Sequence, residues 1–174
     1  MRALRAVALS CAVLASGCAG LGRTGAPPRG APSGRAGWLV YTLDGLRVQA
    51  PAAWTAEGDA RRLALAAPDG RARLEVTVPA AAFADQRACL ADADERMGSA
   101  AGSLERARRH PTKLGGRPGA SLEADRGGWH VWAVAACDGG RQYRVFFTAA
   151  TPAPVEVVEV WRTLVQSAQI GGEV

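Results

Sequence analysis

Short apolar runs separated by turn residues open the folded part of the chain. Residues 39–43 and 46–50 flank an Asp-Gly dipeptide, which readily supplies the positive φ angles of a tight hairpin turn. Residues 62–66 and 72–78 flank a Pro-Asp-Gly turn, and the second of these runs alternates apolar with charged or polar residues. A period of two indicates strands with one buried and one solvated face. The pattern therefore predicts two successive hairpins.

A helical period replaces the alternation between residues 80 and 101. Phe83, Leu90 and Met97 recur every seven residues, which places them on one face of a helix. Acidic residues occupy the other side, and the cluster Asp92-Ala-Asp-Glu95 is expected to form a solvated face.

Four further runs and a last helix complete the pattern. Residues 104–112, 120–125, 129–137 and 141–150 indicate strands, and the short Gly-rich turns between the last three imply an antiparallel meander. A closing amphipathic helix begins after Thr151-Pro152. The order of strands, helix, strands and helix predicts a single α+β domain over residues 38–171, with an antiparallel sheet covered by two helices.

The distribution of charge argues against a nucleic-acid binder. The formal charge of +5 suggests such a partner until the positions are considered. Five arginines precede Trp38, whereas the chain from Trp38 onward holds sixteen basic and sixteen acidic residues. The folded part is formally neutral, so no nucleic-acid partner is predicted.

The amino-terminal residues predict an export signal. Two arginines in residues 1–5 precede a mostly apolar stretch, residues 6–15, that is too short to span a bilayer. The sequence Leu14-Ala-Ser-Gly-Cys18 resembles the lipobox of bacterial lipoproteins. The resemblance implies that residues 1–17 are a signal peptide cleaved after Gly17, and that the Cys18 thiol carries a diacylglyceryl group. A plain signal peptide with an incidental cysteine is the alternative.

The predicted anchor implies a location in the cell envelope. Several acyl chains would hold the mature protein on a membrane essentially permanently. By the same family resemblance, Ala19 in place of Asp favours the outer membrane, with the domain facing the periplasm. Residues 18–37 are predicted to be the lipidated cysteine and a flexible linker rich in Gly, Pro and Arg, and residues 172–174 a short tail.

The four cysteines predict one disulfide. Cys11 leaves with the signal peptide and Cys18 is lipidated, so Cys89 and Cys137 remain as a pair in an oxidising periplasm. They lie too far apart in sequence to resemble a Cys-x-x-Cys redox motif. A structural disulfide is therefore expected.

The central part of the chain resembles a known fold family. Gly45-Leu-Arg-Val-Gln-Ala-Pro-Ala-Ala-Trp54, followed by a Pro-Asp-Gly hairpin, a helix, a meander and an amphipathic helix, is similar to the PsbP-like proteins. These include a photosystem II extrinsic subunit, a Ran-binding import factor and many bacterial lipoproteins. The resemblance implies a three-layer α/β/α sandwich over residues 39–170 that binds proteins and performs no chemistry.

Residue patterns typical of catalysis are not found in the sequence. His110 and His130 are not at ligand spacing from each other or from a cysteine, and a zinc site needs three or four ligands. No nucleophile elbow, phosphate-cradling loop or His-Glu-x-x-His occurs. We therefore expect no catalytic residues, no metal site and no cofactor.

One basic cluster is a candidate partner-binding surface. Within twelve residues it contains Arg106, Arg108, Arg109, His110, Lys113 and Arg117. Such a cluster attracts an anionic partner, such as a phospholipid headgroup or an acidic protein surface. The alternative is a solvated edge strand whose charges discourage aggregation.

Two functions follow from these expectations. The first is a non-enzymatic, membrane-anchored periplasmic module that binds an envelope protein or serves an assembly. The second is a small-ligand carrier, for lipid or glycan, at the membrane surface. A carrier needs an apolar cavity of about 300 Å³ or more. Of the hydrophobic residues 37 are alanine, which leaves 47 larger ones to fill a core, and this argues mildly against a carrier.

Overall fold

The structure is a computed structural model that describes residues 29–171. The predicted signal peptide, Cys18, most of the predicted linker and the predicted tail lie outside the described residues. No helix within the described range has the length and apolar character needed to cross a bilayer. The elements are β1 (Ala31–Pro32), β2 (Trp38–Leu43), β3 (Leu46–Pro51), β4 (Thr55–Gly58), β5 (Arg62–Ala66), β6 (Ala72–Thr77), α1 (Gln86–Ala101), β7 (Glu105–Leu114), β8 (Arg117–Arg126), β9 (Trp129–Asp138), β10 (Arg141–Ala150), α2 (Val155–Ser167) and β11 (Gln169–Ile170).

Seven strands form the main sheet, in the order β4-β5-β6-β10-β9-β8-β7. Every pairing in it is antiparallel. The meander predicted from the Gly-rich turns is confirmed as β8, β9 and β10, each ten residues long. The α+β class with a mostly antiparallel sheet is confirmed as well.

A second sheet has the order β1-β2-β3-β11. Its centre is the predicted first hairpin, in which Asp44 and Gly45 take φ angles of 31° and 88°. Strand β1 lies inside the segment predicted as a flexible linker, which is a correction, because Ala31 pairs with Val40 of β2. Pro32 is tolerated there because β1 is an edge strand, where a missing N–H breaks no ladder on its outer side.

The two faces of the main sheet are covered differently. Helix α1 packs Ala93 and Met97 against alanines and Leu122 on one face. The other face meets both the second sheet and α2, so that Val48 and Leu164 share one core with Phe147. The predicted three-layer α/β/α sandwich is therefore only partly right, since the layer opposite α1 contains a sheet as well as a helix.

Helix α1 begins later than the sequence pattern predicts. Asp85 caps it, and one of its carboxylate oxygens accepts the Ala88 N–H at 2.8 Å. Phe83 precedes the helix, and its N–H donates to the Gly140 carbonyl at 2.7 Å. The series of apolar residues spaced by seven therefore spans a loop and a helix. Residues 80–84 contain no Ser, Thr, Asp or Asn that could cap an earlier start of the helix.

Both core clusters, all the strand pairings and the disulfide lie within the described residues. A chain that begins at Ala19 therefore contains all of these contacts.

Candidate binding surface

The predicted basic cluster lies on β7 and at the start of β8. Strand β7 is an edge of the main sheet, as the alternative interpretation of the cluster requires. The strand also contains Pro111 and a bulge between Glu105 and Arg108, where Arg106 takes a φ of 51°. Charge, proline and a bulge all hinder pairing with another strand.

The five cations of the cluster do not form one continuous surface. Arg108 lies opposite Glu123 and Arg109 opposite Leu122, so the two point to different faces of the sheet. Three of the five form ion pairs, Arg106 with Asp125 at 2.8 Å, Arg109 with Asp94 at 3.4 Å and Arg117 with Asp138 at 3.3 Å.

Arg108 and Lys113 are the cations of the cluster without an ion pair inside residues 29–171. Both are exposed, and they lie five residues apart, on opposite faces of the strand. The cations of the cluster are therefore split between the two faces of the strand, and nearby carboxylates pair with three of them. Its role in binding a partner stays a prediction.

His130 lies between two carboxylates on the face that α2 partly covers. Its Nδ1 is 2.8 Å from Oδ1 of Asp125, and its Nε2 is 3.1 Å from Oε1 of Glu123. Only a doubly protonated imidazole carries an N–H on both nitrogens and can donate to both oxygens. The hydrogen bond with His130, and then the charge of Arg106, lower the pKa of the Asp125 carboxyl below its ordinary value.

Spacing along the chain does not reveal this cluster, because strand pairing brings its members together. A signal was available, since a two-residue turn at Gly127-Gly128 pairs residues that are equally distant from it. That register places Asp125 opposite His130, and Glu123 two residues further along the same face. Three titratable side chains therefore meet through hairpin register rather than through sequence spacing.

A groove runs along α2 beside the His130 cluster, and we call it the α2 cleft. It consists of two adjoining cavities of about 320 and 400 Å³ that share Glu123. Thr112 and Ser121 lie on its sheet side, and Arg162 on its helix side. Trp132 and Trp161 line its apolar part, with ring centroids 6.1 Å apart.

The α2 cleft combines aromatic surface with charges of both signs. Its Asp125, Glu123 and His130 are bonded to one another or to Arg106. In the part of the chain that the structure describes, no three His, Cys, Asp or Glu side chains are arranged to hold a metal ion. The arrangement suits binding through hydrogen bonds and aromatic contacts.

Cys89 and Cys137 form the predicted disulfide. The Sγ–Sγ distance is 2.01 Å and the Cα atoms are 6.0 Å apart. The bond ties α1 to the end of β9. Gln86 adds a second link between the same elements by donating to the Cys137 carbonyl at 3.0 Å.

Asp92 does not belong to a solvated face, which corrects the sequence expectation. Its Oδ2 accepts hydrogen bonds from Arg96 at 2.6 Å and from the fully buried Gln142 at 3.0 Å. The Arg96 bond is the largest cause that lowers the pKa of Asp92. The carboxylate is thus engaged where α1 meets β10.

The α1 side of the main sheet carries a second surface, which we call the aromatic depression. It is an open hollow of about 600 Å³, and its lining includes Arg73, Arg126, Trp129, Val131, Phe146 and Thr148. Helix α1 packs on strands β7 to β10, and none of its residues lines the depression. Trp129 and Trp132 point to opposite faces of the sheet, as their strand parity predicts.

These elements together define a PsbP-like fold. The solution structure of cyanobacterial PsbP (CyanoP) from Synechocystis sp. PCC 6803 superimposes with a TM-score of 0.54 at 15% sequence identity, covering 81% of this chain and 98% of that one. A crystal structure from Bacteroides thetaiotaomicron VPI-5482 superimposes with the same TM-score at 11% identity, covering 78% of this chain and 48% of the other. The predicted fold resemblance is confirmed.

Sequence comparison adds no closer relationship. No family model matches the chain, and no curated protein matches it. At these identities the structural likeness establishes the fold alone.

Proposed function

We propose that this chain is an envelope lipoprotein. Its signal peptide, residues 1–17, is cleaved after Gly17, and Cys18 carries the lipid that holds the domain on the periplasmic face of the outer membrane. The lipobox resemblance supports the anchor. The Cys89–Cys137 bond supports export, because disulfides persist in oxidising compartments and are rare in the cytosol.

The domain acts as a non-catalytic module that binds an envelope protein, with the α2 cleft as its docking site. The observation that carries this proposal is the α2 cleft itself. The carboxylates of its charged end already bond to His130 and Arg106. Arg108, which has no ion pair within residues 29–171, lines the charged end, and Thr112 lies with Trp132 and Trp161 in the other part; this mixture is typical of protein interfaces.

The shape of the cavities favours a docking module over the small-ligand carrier. The α2 cleft and the aromatic depression are both open to solvent, whereas a carrier encloses most of its ligand. A docking module needs only an exposed surface with complementary chemistry.

Two measurements test the proposal. Mass spectrometry of the amino-terminal peptide is expected to show a diacylglyceryl group on Cys18, which Cys18→Ala abolishes. An unmodified Cys18 in the mature chain would refute the anchor.

Photo-cross-linking tests the docking site. A benzophenone-bearing residue in place of Thr112, in the α2 cleft, is expected to capture one envelope protein in a stoichiometric complex from the anchored chain. The same group in place of Ser99, which is exposed on α1, serves as the matched control. Arg108→Glu is expected to reduce the yield at Thr112 at least tenfold. Equal capture from both positions, or capture of lipid or glycan alone, would contradict the proposal.

A further inference from the structure

The aromatic depression brings exposed apolar side chains together with exposed arginines. Trp129 and Phe146 lie on an open sheet face. Their side chains are 39% and 46% exposed. Arg73 and Arg126 line the same hollow, both are exposed, and neither forms an ion pair with any residue from 29 to 171. None of the lining residues is acidic.

Two carboxylates on the neighbouring elements have partners of their own. Glu75 is the cross-strand neighbour of Phe146, but its Oε1 bonds to Nε of Arg62 at 3.0 Å. Asp69, in the β5–β6 turn, accepts the backbone N–H of Arg71 at 3.0 Å. The lining around the two aromatic rings therefore presents two guanidinium groups and no carboxylate.

The depression opens at one end of the main sheet. The β5–β6 turn and the β8–β9 turn contribute Gly70 and Gly127 to its lining. Backbone hydrogen bonds of 2.8 Å hold both turns to the end of β10, from the Ala150 N–H to the Arg71 carbonyl and from the Thr151 N–H to the Gly128 carbonyl. The two short turns are therefore fixed to β10 beside the depression. They form an end of the main sheet that can contact a flat surface.

We infer that the aromatic depression is a membrane-contact surface that binds a bilayer containing anionic phospholipid. Tryptophan concentrates at the boundary between headgroups and acyl chains, where one side of its ring is apolar and its N–H is hydrated. The guanidinium groups of Arg73 and Arg126 suit bidentate bonds to headgroup phosphates. The combination matches a negatively charged bilayer surface in both charge and polarity.

The inference rests on the proposed function for its cellular setting, because a lipid on Cys18 would hold the domain beside a bilayer. Residues 19–28 number ten and can extend to at most about 35 Å. A ten-residue strand of the main sheet spans about 33 Å. A fully extended tether is therefore about as long as the main sheet.

Vesicle binding tests the inference without the anchor. The probe is the unlipidated chain from Ala19 to Val174, sedimented with vesicles of phosphatidylcholine alone or with 30 mol% phosphatidylglycerol at low salt. Partitioning onto the anionic vesicles is expected to be at least tenfold stronger. Trp129→Ala and Phe146→Ser should each reduce it severalfold, and Arg73→Gln combined with Arg126→Gln should remove the preference for phosphatidylglycerol.

Matched variants separate a local surface from general charge or hydrophobicity. Arg47→Gln combined with Arg87→Gln removes the same charge from the exposed surfaces of β3 and α1, and Val155→Ser removes an apolar residue that is 72% exposed on α2. Both are expected to bind like the unmodified chain. The exposed arginine pair keeps the test informative even if Trp129→Ala does not fold.

The inference is overturned if the chain binds both vesicle types equally, or if the Arg47 and Arg87 control loses as much binding as the Arg73 and Arg126 pair. It is also overturned if the chain binds neither vesicle type. If Trp129→Ala then abolishes a protein cross-link, the surface is a protein interface. Failure of lipidation at Cys18 or of capture at Thr112 would be seen separately, because neither enters the vesicle measurement.

Discussion

Asp125 and His130 are directly opposite each other across a two-residue turn, and their side chains bond at 2.8 Å. This bond is the largest cause that lowers the pKa of Asp125. Folding therefore favours the ionised carboxylate, which stabilises the domain at pH values above the unfolded pKa of about 4. The stabilisation is lost as the pH falls through the lower pKa of the folded state.

We expect Asp125→Asn to lower stability at pH 7 and to make it less dependent on pH below about 4. Urea unfolding between pH 3 and pH 7 measures both effects. Asp94→Asn is the control, because it removes a carboxylate that is exposed and whose ion pair with Arg109 is longer, at 3.4 Å. Identical pH profiles for Asp125→Asn and the unmodified chain would show that the Asp125–His130 bond does not contribute.

The disulfide should account for a large share of the domain's stability. The cysteines are 48 residues apart, and closing a loop of that size is worth about 4 kcal/mol in the chain-entropy model. Reduction with dithiothreitol is expected to lower Tm by about ten degrees, at roughly 2–4 °C for each kcal/mol in a domain of about 150 residues. The double variant Cys89→Ala, Cys137→Ala should melt at the reduced value and not respond to dithiothreitol. A Tm unchanged by reduction would contradict this expectation.

Two consecutive phenylalanines should differ sharply in their contribution to stability. Phe147 is fully buried and packs against the rings of Trp54, Trp132 and Trp161, whereas Phe146 points to the open face. Phe147→Ala is expected to cost about 3–5 kcal/mol of unfolding free energy. Phe146→Ala should cost less than about 1 kcal/mol. Urea unfolding of both variants checks the difference, and equal losses would mean that the strand register is wrong.

Gly119 should be essential for the close approach of β8 to β9. A Cβ atom there would lie 2.1 Å from the Ala135 carbonyl oxygen, which is backbone and cannot move aside alone. Gly119→Ala is expected to destabilise the domain by about 1–3 kcal/mol. Gly34→Ala, where a Cβ would meet nothing within 4 Å, should stay within about 0.5 kcal/mol of the unmodified chain. Thermal unfolding of the two variants would decide, and a neutral Gly119→Ala would exclude this contact.

Local patterns determined most of the elements, because each depends on neighbours in sequence. The alternation in residues 72–78 and the turn at Asp44-Gly45 predicted strands that the structure contains as β6, β2 and β3. The disulfide followed from counting cysteines, since two of the four are assigned to the predicted signal and anchor. The predicted start of α1 was wrong. A helix begins where a cap satisfies its free N–H groups, and Asp85 is that cap.

Tertiary structure alone decided how these elements share space. The second sheet depends on β11 pairing with β3, where Ile170 meets Leu46 across more than a hundred residues of chain. The division of the basic cluster also depends on partners distant in sequence, such as Asp94 on α1. The aromatic depression depends on long-range packing as well, because α1 leaves part of one sheet face uncovered. The amino-acid pattern determines which residues prefer burial, but long-range packing determines which of them meet and which apolar side chains stay exposed.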